Sequence, residues 1–169
     1  TESMSVDGIA HTMVTSYDSS GRPEVLTYPT GFAAKNVYNA VGYLAEVRNH
    51  ATNALNWKSA AQSPAGITDE DLGNGTGLVR VFNANTHRVS QISAVRDSDS
   101  AVLQNFTFGY DLGGNLTTRS ETTQGLSETF AFDSLDRLTT VTGPASKSYT
   151  YSEIGNITTT FDPTVPQVA

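Results

Sequence analysis

The sequence contains no cysteine. It therefore has no disulfide frame and no thiol nucleophile, and a disulfide-free β protein outside a cell fits a bacterial source better than an animal one. Positive charge is also scarce. Ten basic residues stand against 17 acidic ones, giving a net charge of −7, and no basic cluster exceeds two residues. Nucleic acid is a poor partner for such a chain, because phosphate binding needs clustered Lys or Arg. No apolar run approaches the roughly 20 residues of a membrane-spanning helix, and the first residues show no charged-then-apolar export signal. Charged residues make up 16% and hydrophobic residues 37%, with Ser and Thr filling the gap, as in an exported β protein.

Helix signals are nearly absent. The best stretch, 51–61, contains Ala54, Leu55 and Lys58, but it has no apolar stripe. It is expected to be a strand or an irregular link around Trp57, which reads as a packing anchor rather than a ligand platform.

Catalytic patterns are missing as well. The GNGTG run at 73–77 lacks the Gly-Lys-Ser/Thr ending of a phosphate loop. Asp97 and Asp99 open like a calcium loop, but Val102 stands where glycine is required and Phe108 where Glu is. His11, His50 and His87 lack metal-ligand spacing, and there is no Gly-x-Ser-x-Gly elbow. Glu70 and Asp71 read as hydrated carboxylates beside Gly-rich turns. The Asn-x-Thr triplets at Asn74, Asn105, Asn115 and Asn156 read as turn chemistry rather than glycosylation acceptors. No catalytic residue, cofactor or metal is assigned, and the chain is expected not to be an enzyme.

What the sequence does contain is a degenerate repeat: an aromatic, then Asp or Asn, a turn, then Leu or Ile and a Thr-rich run. The clearest copies are FGYDLGGNLTTR (108–119), FAFDSLDRLTTV (130–141) and YTYSEIGNITTT (149–160). They carry Tyr110, Asp111, Gly114, Asn115 and Leu116; Phe132, Asp133, Arg137 and Leu138; and Tyr151, Gly155, Asn156 and Ile157. Weaker copies hold Tyr17, Asp18 and Gly21, then Tyr38, Asn39 and Gly42, then Phe82 and Asn83, the last with one extra residue before Val89. A decayed copy keeps only Gly66 and Ile67. From Tyr17 to Tyr151 the mean period is about 22 residues, which suits two short strands and two turns.

Within one unit, Phe106, Phe108 and Tyr110 alternate with Thr107 and Gly109, the signature of a half-buried strand. Asp111 initiates a turn, Gly113 to Asn115 reverse the chain, and Leu116 to Arg119 restart a strand. The expected organisation is a lead-in strand at 1–16, an array of about seven units at 17–162, and a tail at 163–169. Within the array, residues 63–77 read as a turn-rich connection and 96–105 as a polar insertion.

The strings YDLGGNLTTR, FDSLDRLTTV and YSEIGNITTT resemble the YD repeat of Rhs proteins, of the B and C components of bacterial Tc toxins, and of teneurins. LGNGTGLVRVFNANTHRVSQI (72–92) resembles a link between Rhs repeats. The resemblance implies an all-β fold of tandem hairpins side by side in one continuous curved sheet, part of a larger spiral shell. Its role there would be structural: enclosing a toxic or effector polypeptide after bacterial export. The partners would be the rest of that polypeptide and its cargo.

Rhs-like proteins also carry an aspartyl self-cleavage region. Asp162-Pro163 lacks the second Asp-Pro element of that region. A shell needs more hairpins than 169 residues supply, and Met4 is internal, so the chain reads as a piece of a longer polypeptide. The alternative reading is a stand-alone extracellular module binding carbohydrate or a cell-surface protein. A shell wall predicts Tyr110, Phe132 and Tyr151 buried in ring stacks, whereas a binding module predicts them exposed on a flat face.

Overall fold

Alternation and β-branching favour extended backbone throughout, because Thr and Val lose little χ1 freedom on a pleated surface. The structure is a computed structural model that describes residues 1–161. Asp162, the last residue of the expected array, and the tail 163–169 lie outside the described residues.

Among the described residues every regular element is a strand: β1 (Glu2–Val6), β2 (Ile9–Tyr17), β3 (Pro23–Thr27), β4 (Ala33–Tyr38), β5 (Leu44–Asn49), β6 (Leu55–Ser63), β7 (Gly66–Leu72), β8 (Thr76–Phe82), β9 (Val89–Arg96), β10 (Val102–Tyr110), β11 (Leu116–Glu121), β12 (Leu126–Phe132), β13 (Leu138–Thr142), β14 (Lys147–Tyr151) and β15 (Ile157–Phe161). They form one sheet whose spatial order is the sequence order. The all-β, hairpin-after-hairpin architecture expected from the repeat is the architecture found.

The strands gather into two compact units, Thr1–Leu78 with Arg96–Asp99, and Val79–Val95 with the described residues from Ser100 onward. In the first, β1 and β2 pair about a tight Asp7-Gly8 turn. Residues 51–61 split into a turn and the start of β6, where Trp57 lies between Val47 and Leu72 and donates from Nε1 to Glu70 Oε1 at 2.7 Å. The 63–77 stretch contains β7 rather than an irregular connection. Its acidic run is held by backbone pairing with β6 and by contacts from Trp57 and from Lys58, whose Nζ lies 3.7 Å from Asp71. Glu70 and Asp71 are therefore strand residues paired with β6 beside the 73–75 turn, and the Asp71 side chain stays 44% exposed.

In the second unit the register sorts residues by chemistry. Ile92, Phe106, Glu121 and Leu126 form one cross-strand row, and Phe108, Arg119 and Glu128 another on the same face. Thr107, Ser120 and Ser127 point to the opposite face, as do Thr118, Thr129 and Thr142. The 96–105 stretch is a turn followed by the first residues of β10, so its polarity reflects a rim.

A single sheet layer leaves little fully buried. Val141, at 9% exposure, and Glu121, at 3%, are the buried side chains among the described residues. The expected ring stacks are not formed: Tyr110 is exposed, and Phe132 and Tyr151 are half-buried. The ring pairs present are instead Tyr28–Phe32, with centroids 5.9 Å apart, and Phe106–Phe108, 6.1 Å apart. Strand spacing explains this. The signature aromatic recurs on every second strand, about 10 Å along the sheet, which exceeds the reach of a ring pair. Phe132→Ala should therefore cost about 2 kcal/mol in urea unfolding, roughly half the penalty of a fully buried Phe. A loss of 4 kcal/mol would show that something covers this face in solution.

Candidate functional site

The signature residues meet at hairpin turns. In the Asp133 turn, the Asp133 N–H donates to Arg137 O at 2.9 Å and the Asp136 N–H to Asp133 O at 3.1 Å. The carboxylate of Asp133 then accepts from the backbone N–H groups of Leu135 and Arg137. This is a type I turn followed by a left-handed residue, the usual three-residue hairpin loop. The same two backbone bonds recur at Asp18, Asn39, Asp111 and Ser152. Asp18, Asn39 and Asp111 each accept two backbone N–H groups through Oδ1, and the Ser152 hydroxyl accepts from Asn156. Gly114 occupies the left-handed position at φ +100°, and a Cβ there would also overlap the Arg88 guanidinium. Asp136 takes the equivalent position at φ 58°.

Asn83 closes a loop longer by one residue, with His87 left-handed at φ 56°. An identical loop at Asn49, with Asn53 at φ 58°, lacks the repeat signature because Arg48 rather than an aromatic precedes it. The available signal was an Asn followed four residues later by a residue tolerant of positive φ.

Successive hairpins are joined by a contact the repeat alone did not reveal. The residue ending a turn lies beside the aromatic of the following unit. Arg22 places its guanidinium 4.3 Å from the Tyr38 ring centroid, Arg137 4.5 Å from Tyr151, and Arg88 5.8 Å from Tyr110. Each of these tyrosines donates its hydroxyl to the carbonyl just after that arginine: Tyr38 to Pro23 at 2.8 Å, Tyr110 to Val89 at 3.0 Å, and Tyr151 to Leu138 at 2.7 Å. The arginines are aimed from behind. Asp18 Oδ2 accepts from Arg22 Nε at 2.8 Å, and Asp133 Oδ2 from Arg137 Nε at 2.7 Å. Where Asn115 replaces arginine, the next aromatic is Phe132, which has no hydroxyl to place. Asn115 instead donates to Asp136 at 2.8 Å.

Bulges account for the Leu-Thr pair. Pairing shifts by one residue immediately before Tyr17, Tyr38, Tyr110, Phe132 and Tyr151, leaving Glu24, Ala45, Thr117, Thr139 and Thr158 as the extra residues opposite. Thr139 donates its hydroxyl to Ala131 O at 3.1 Å, and Ser90 does the same to Val81 O. Leu116, Leu138 and Ile157 pair directly with Tyr110, Phe132 and Tyr151.

The turn carboxylates are held below the ordinary range. For Asp18 and Asp133 the leading cause is the backbone N–H of the arginine four residues on, joined by that arginine's side chain and opposed by partial burial. For Asp111 it is the backbone N–H of Asn115, then its side chain. Glu121 is lowered by the Thr123 hydroxyl and then the Asn105 N–H, and it ties the 122–125 turn to β10.

Elsewhere, two further ion pairs occupy charged groups. A groove of 390 Å³ runs over Phe106, Leu126 and Pro144, but its Arg119 is bound to Glu128 at 2.7 Å. Asp99 pairs with Arg96, and His11, His50 and His87 fall in β2 and two separate loops.

No protein-family model matches the chain and no curated protein matches it. Solved structures do. A crystal structure of TcdB2-TccC3 without its hypervariable C-terminal region matches at TM-score 0.80 and 23% identity, over 94% of this chain. The Tc holotoxin pore of Photorhabdus luminescens matches at TM-score 0.76 and 22% identity, over 91%. A TcdB2-TccC3-Cdc42 crystal structure matches at 0.78 and 22%, over 96%. The chain therefore has the fold of a segment of these Tc toxin structures, and it spans only 9–10% of their chains.

Two outcomes follow from the geometry. Tyr151→Phe should cost about 1 kcal/mol, the net value of its hydroxyl bond. Combined with Arg137→Ala it should show a coupling of at least about 0.5 kcal/mol in a double-mutant cycle; strict additivity would mean the two side chains do not act together. The second concerns pH. Depressed carboxylates stabilise the fold above the ordinary value near pH 4, and that stability is lost as pH falls through the lower folded-state values. Asp133→Asn keeps the Oδ1 acceptor, as Asn39 and Asn83 do, but cannot titrate. Between pH 7 and pH 3 it should lose less stability than the parent chain in urea unfolding; an equal loss would show that Asp133 is not a source of acid sensitivity.

Proposed function

We propose that this chain is a segment of the wall of an Rhs/YD-repeat shell that encloses a toxic or effector polypeptide, within a larger protein exported by a bacterium. The observation that carries this reading is the architecture itself. Hairpins are laid side by side in sequence order, joined at three steps by one recurring contact, and form a sheet with almost no buried core among the described residues. A free-standing domain buries its apolar faces against a second layer; a wall does not. The Tc toxin fold over nearly the whole chain supports the same reading.

On this reading the segment performs no chemistry. Its partners are the neighbouring hairpins of the same polypeptide and the cargo they enclose. Tyr38, Tyr110, Phe130 and Tyr151 lie beneath arginines instead of forming a bare platform, which fits a wall better than a glycan-binding face.

The test is limited proteolysis of the full polypeptide from its source, preceded by its intact mass. The mass should exceed the 18.0 kDa of this chain several-fold. A distinct part of the polypeptide should resist protease in buffer and be cleaved rapidly once urea opens the fold. Cleavage of every part at the same rate in both conditions would remove the enclosing role.

A further inference from the structure

Arg88 differs from the other turn-closing arginines in its partners. Arg22 and Arg137 close turns opened by Asp18 and Asp133, and in each the aspartate Oδ2 accepts from both Nε and Nη2. Arg48, Arg96 and Arg119 also have carboxylates, from Glu46, Asp99 and Glu128. No carboxylate lies within ion-pair distance of Arg88 among the described residues. The cause is local. The turn that Arg88 closes is opened by Asn83, which is one residue further back and carries no charge.

The guanidinium is nevertheless held in place. It lies 5.8 Å from the Tyr110 ring centroid, and its Nη2 donates to Gly113 O in a long bond of 3.5 Å. Gly114 leaves it room, since a Cβ there would overlap it. One long bond leaves most of its five N–H donors without a protein acceptor among the described residues. Arg88 lines a pocket of 340 Å³ together with Tyr110, Phe108, Asn83 and Thr86. Asn83 Oδ1 is taken by the N–H groups of Asn85 and Thr86, which leaves Nδ2 as a second donor. The Thr86 hydroxyl accepts from the Arg88 N–H at 3.4 Å and keeps its own proton to donate. Asp111 also lines the pocket. Its two oxygens are bonded within its own turn, by the N–H groups of Gly114 and Asn115 and by Asn115 Nδ2.

We infer that this pocket is a carboxylate-binding site anchored by Arg88, with Asn83 Nδ2 and the Thr86 hydroxyl as accessory donors. The repeat itself identifies the ligand class. At Arg22 and Arg137 the equivalent guanidinium is filled by a carboxylate oxygen from its own turn. At Arg88 that carboxylate comes from outside the turn. A planar guanidinium takes both oxygens of a carboxylate along one edge, and the flanking Tyr110 and Phe108 rings limit the water that would weaken the pair. The source is a small free carboxylate or an acidic side chain of a polypeptide. The inference does not use the shell reading.

The test treats the full polypeptide with phenylglyoxal, which modifies free guanidinium groups. Labelling of the peptides containing Arg22, Arg88 and Arg137 is followed by mass spectrometry at constant ionic strength. Replacing chloride by about 100 mM acetate should slow labelling at Arg88 by about threefold or more, by mass action. Arg22 and Arg137, already paired, should keep their own rates. A tetraglutamate peptide that achieves the same slowing at about a tenth of the carboxylate concentration assigns the site to a polypeptide ligand. No gain over acetate assigns it to a small carboxylate. An Arg88 rate unchanged by acetate, or an equal slowing at all three arginines, would overturn the inference. Slowing by phosphate but not by acetate would overturn the ligand class. Failure of the proteolysis test would remove the shell and leave this result standing.

Discussion

The structure depends on one lateral contact: the guanidinium that ends a turn lies over the ring of the following unit, while that ring's hydroxyl reaches back to the carbonyl beside the arginine. A single-layer sheet has no opposing layer to supply burial, so side-chain stabilisation must come from neighbouring strands. Backbone pairing alone does not distinguish one hairpin from another. The Arg22–Tyr38, Arg88–Tyr110 and Arg137–Tyr151 contacts do. They also have a direction, because the arginine always precedes the tyrosine in sequence. Each of these three links therefore has an arginine side and a tyrosine side, and all three point the same way along the sequence.

The aspartate explains why the contact is orderly. A free arginine loses side-chain entropy when it is fixed over a ring. Asp18 and Asp133 hold their arginines through paired bonds at 2.7–2.8 Å, and the same carboxylates accept the turn's own N–H groups. One residue thus shapes the turn and aims the cation. The exposed part of each pair would contribute little as an isolated salt bridge, so its value lies in positioning. The Asn115–Phe132 step shows the logic in reverse: without a cation there is no tyrosine hydroxyl, and the link passes instead through Asn115 and Asp136.

Most of the fold was legible in the sequence because hairpin formation is local. Alternation at Phe106 to Tyr110 and the Asx-Gly turns each act over a few residues, and even the decayed copy at Gly66-Ile67 marks the β6–β7 hairpin. What was not legible depends on distances across strands. The repeat places the signature aromatics in equivalent sites, which suggested stacked rings, but equivalence at every second strand puts them too far apart to touch. The role of Arg22, Arg88 and Arg137 toward the next ring is likewise invisible without register. The Thr after Leu138 looked like generic β-propensity, yet it is the bulge residue whose hydroxyl answers the carbonyl of Ala131. The acidic β7 was missed because its strand character comes from pairing with β6 rather than from its own side chains.

A protein built from nearest-neighbour contacts behaves as a quasi-one-dimensional chain of units. Lengthening it adds hairpins without redesigning a core, which is how a wall of any extent can be encoded by a degenerate repeat. The cost is that both faces and both rims remain as surfaces. The faces are settled locally, one by hydroxyl rows such as Thr107, Ser120 and Ser127, the other by rings shaded by charged side chains. The signature rim is not, since Leu112, Leu135 and Ile154 stand clear of their own hairpins. Asp133 and Arg137 neutralise each other within their turn. The Asx and left-handed positions are fixed by the backbone of the turn, so the residues between them are the part of the repeat least constrained by folding.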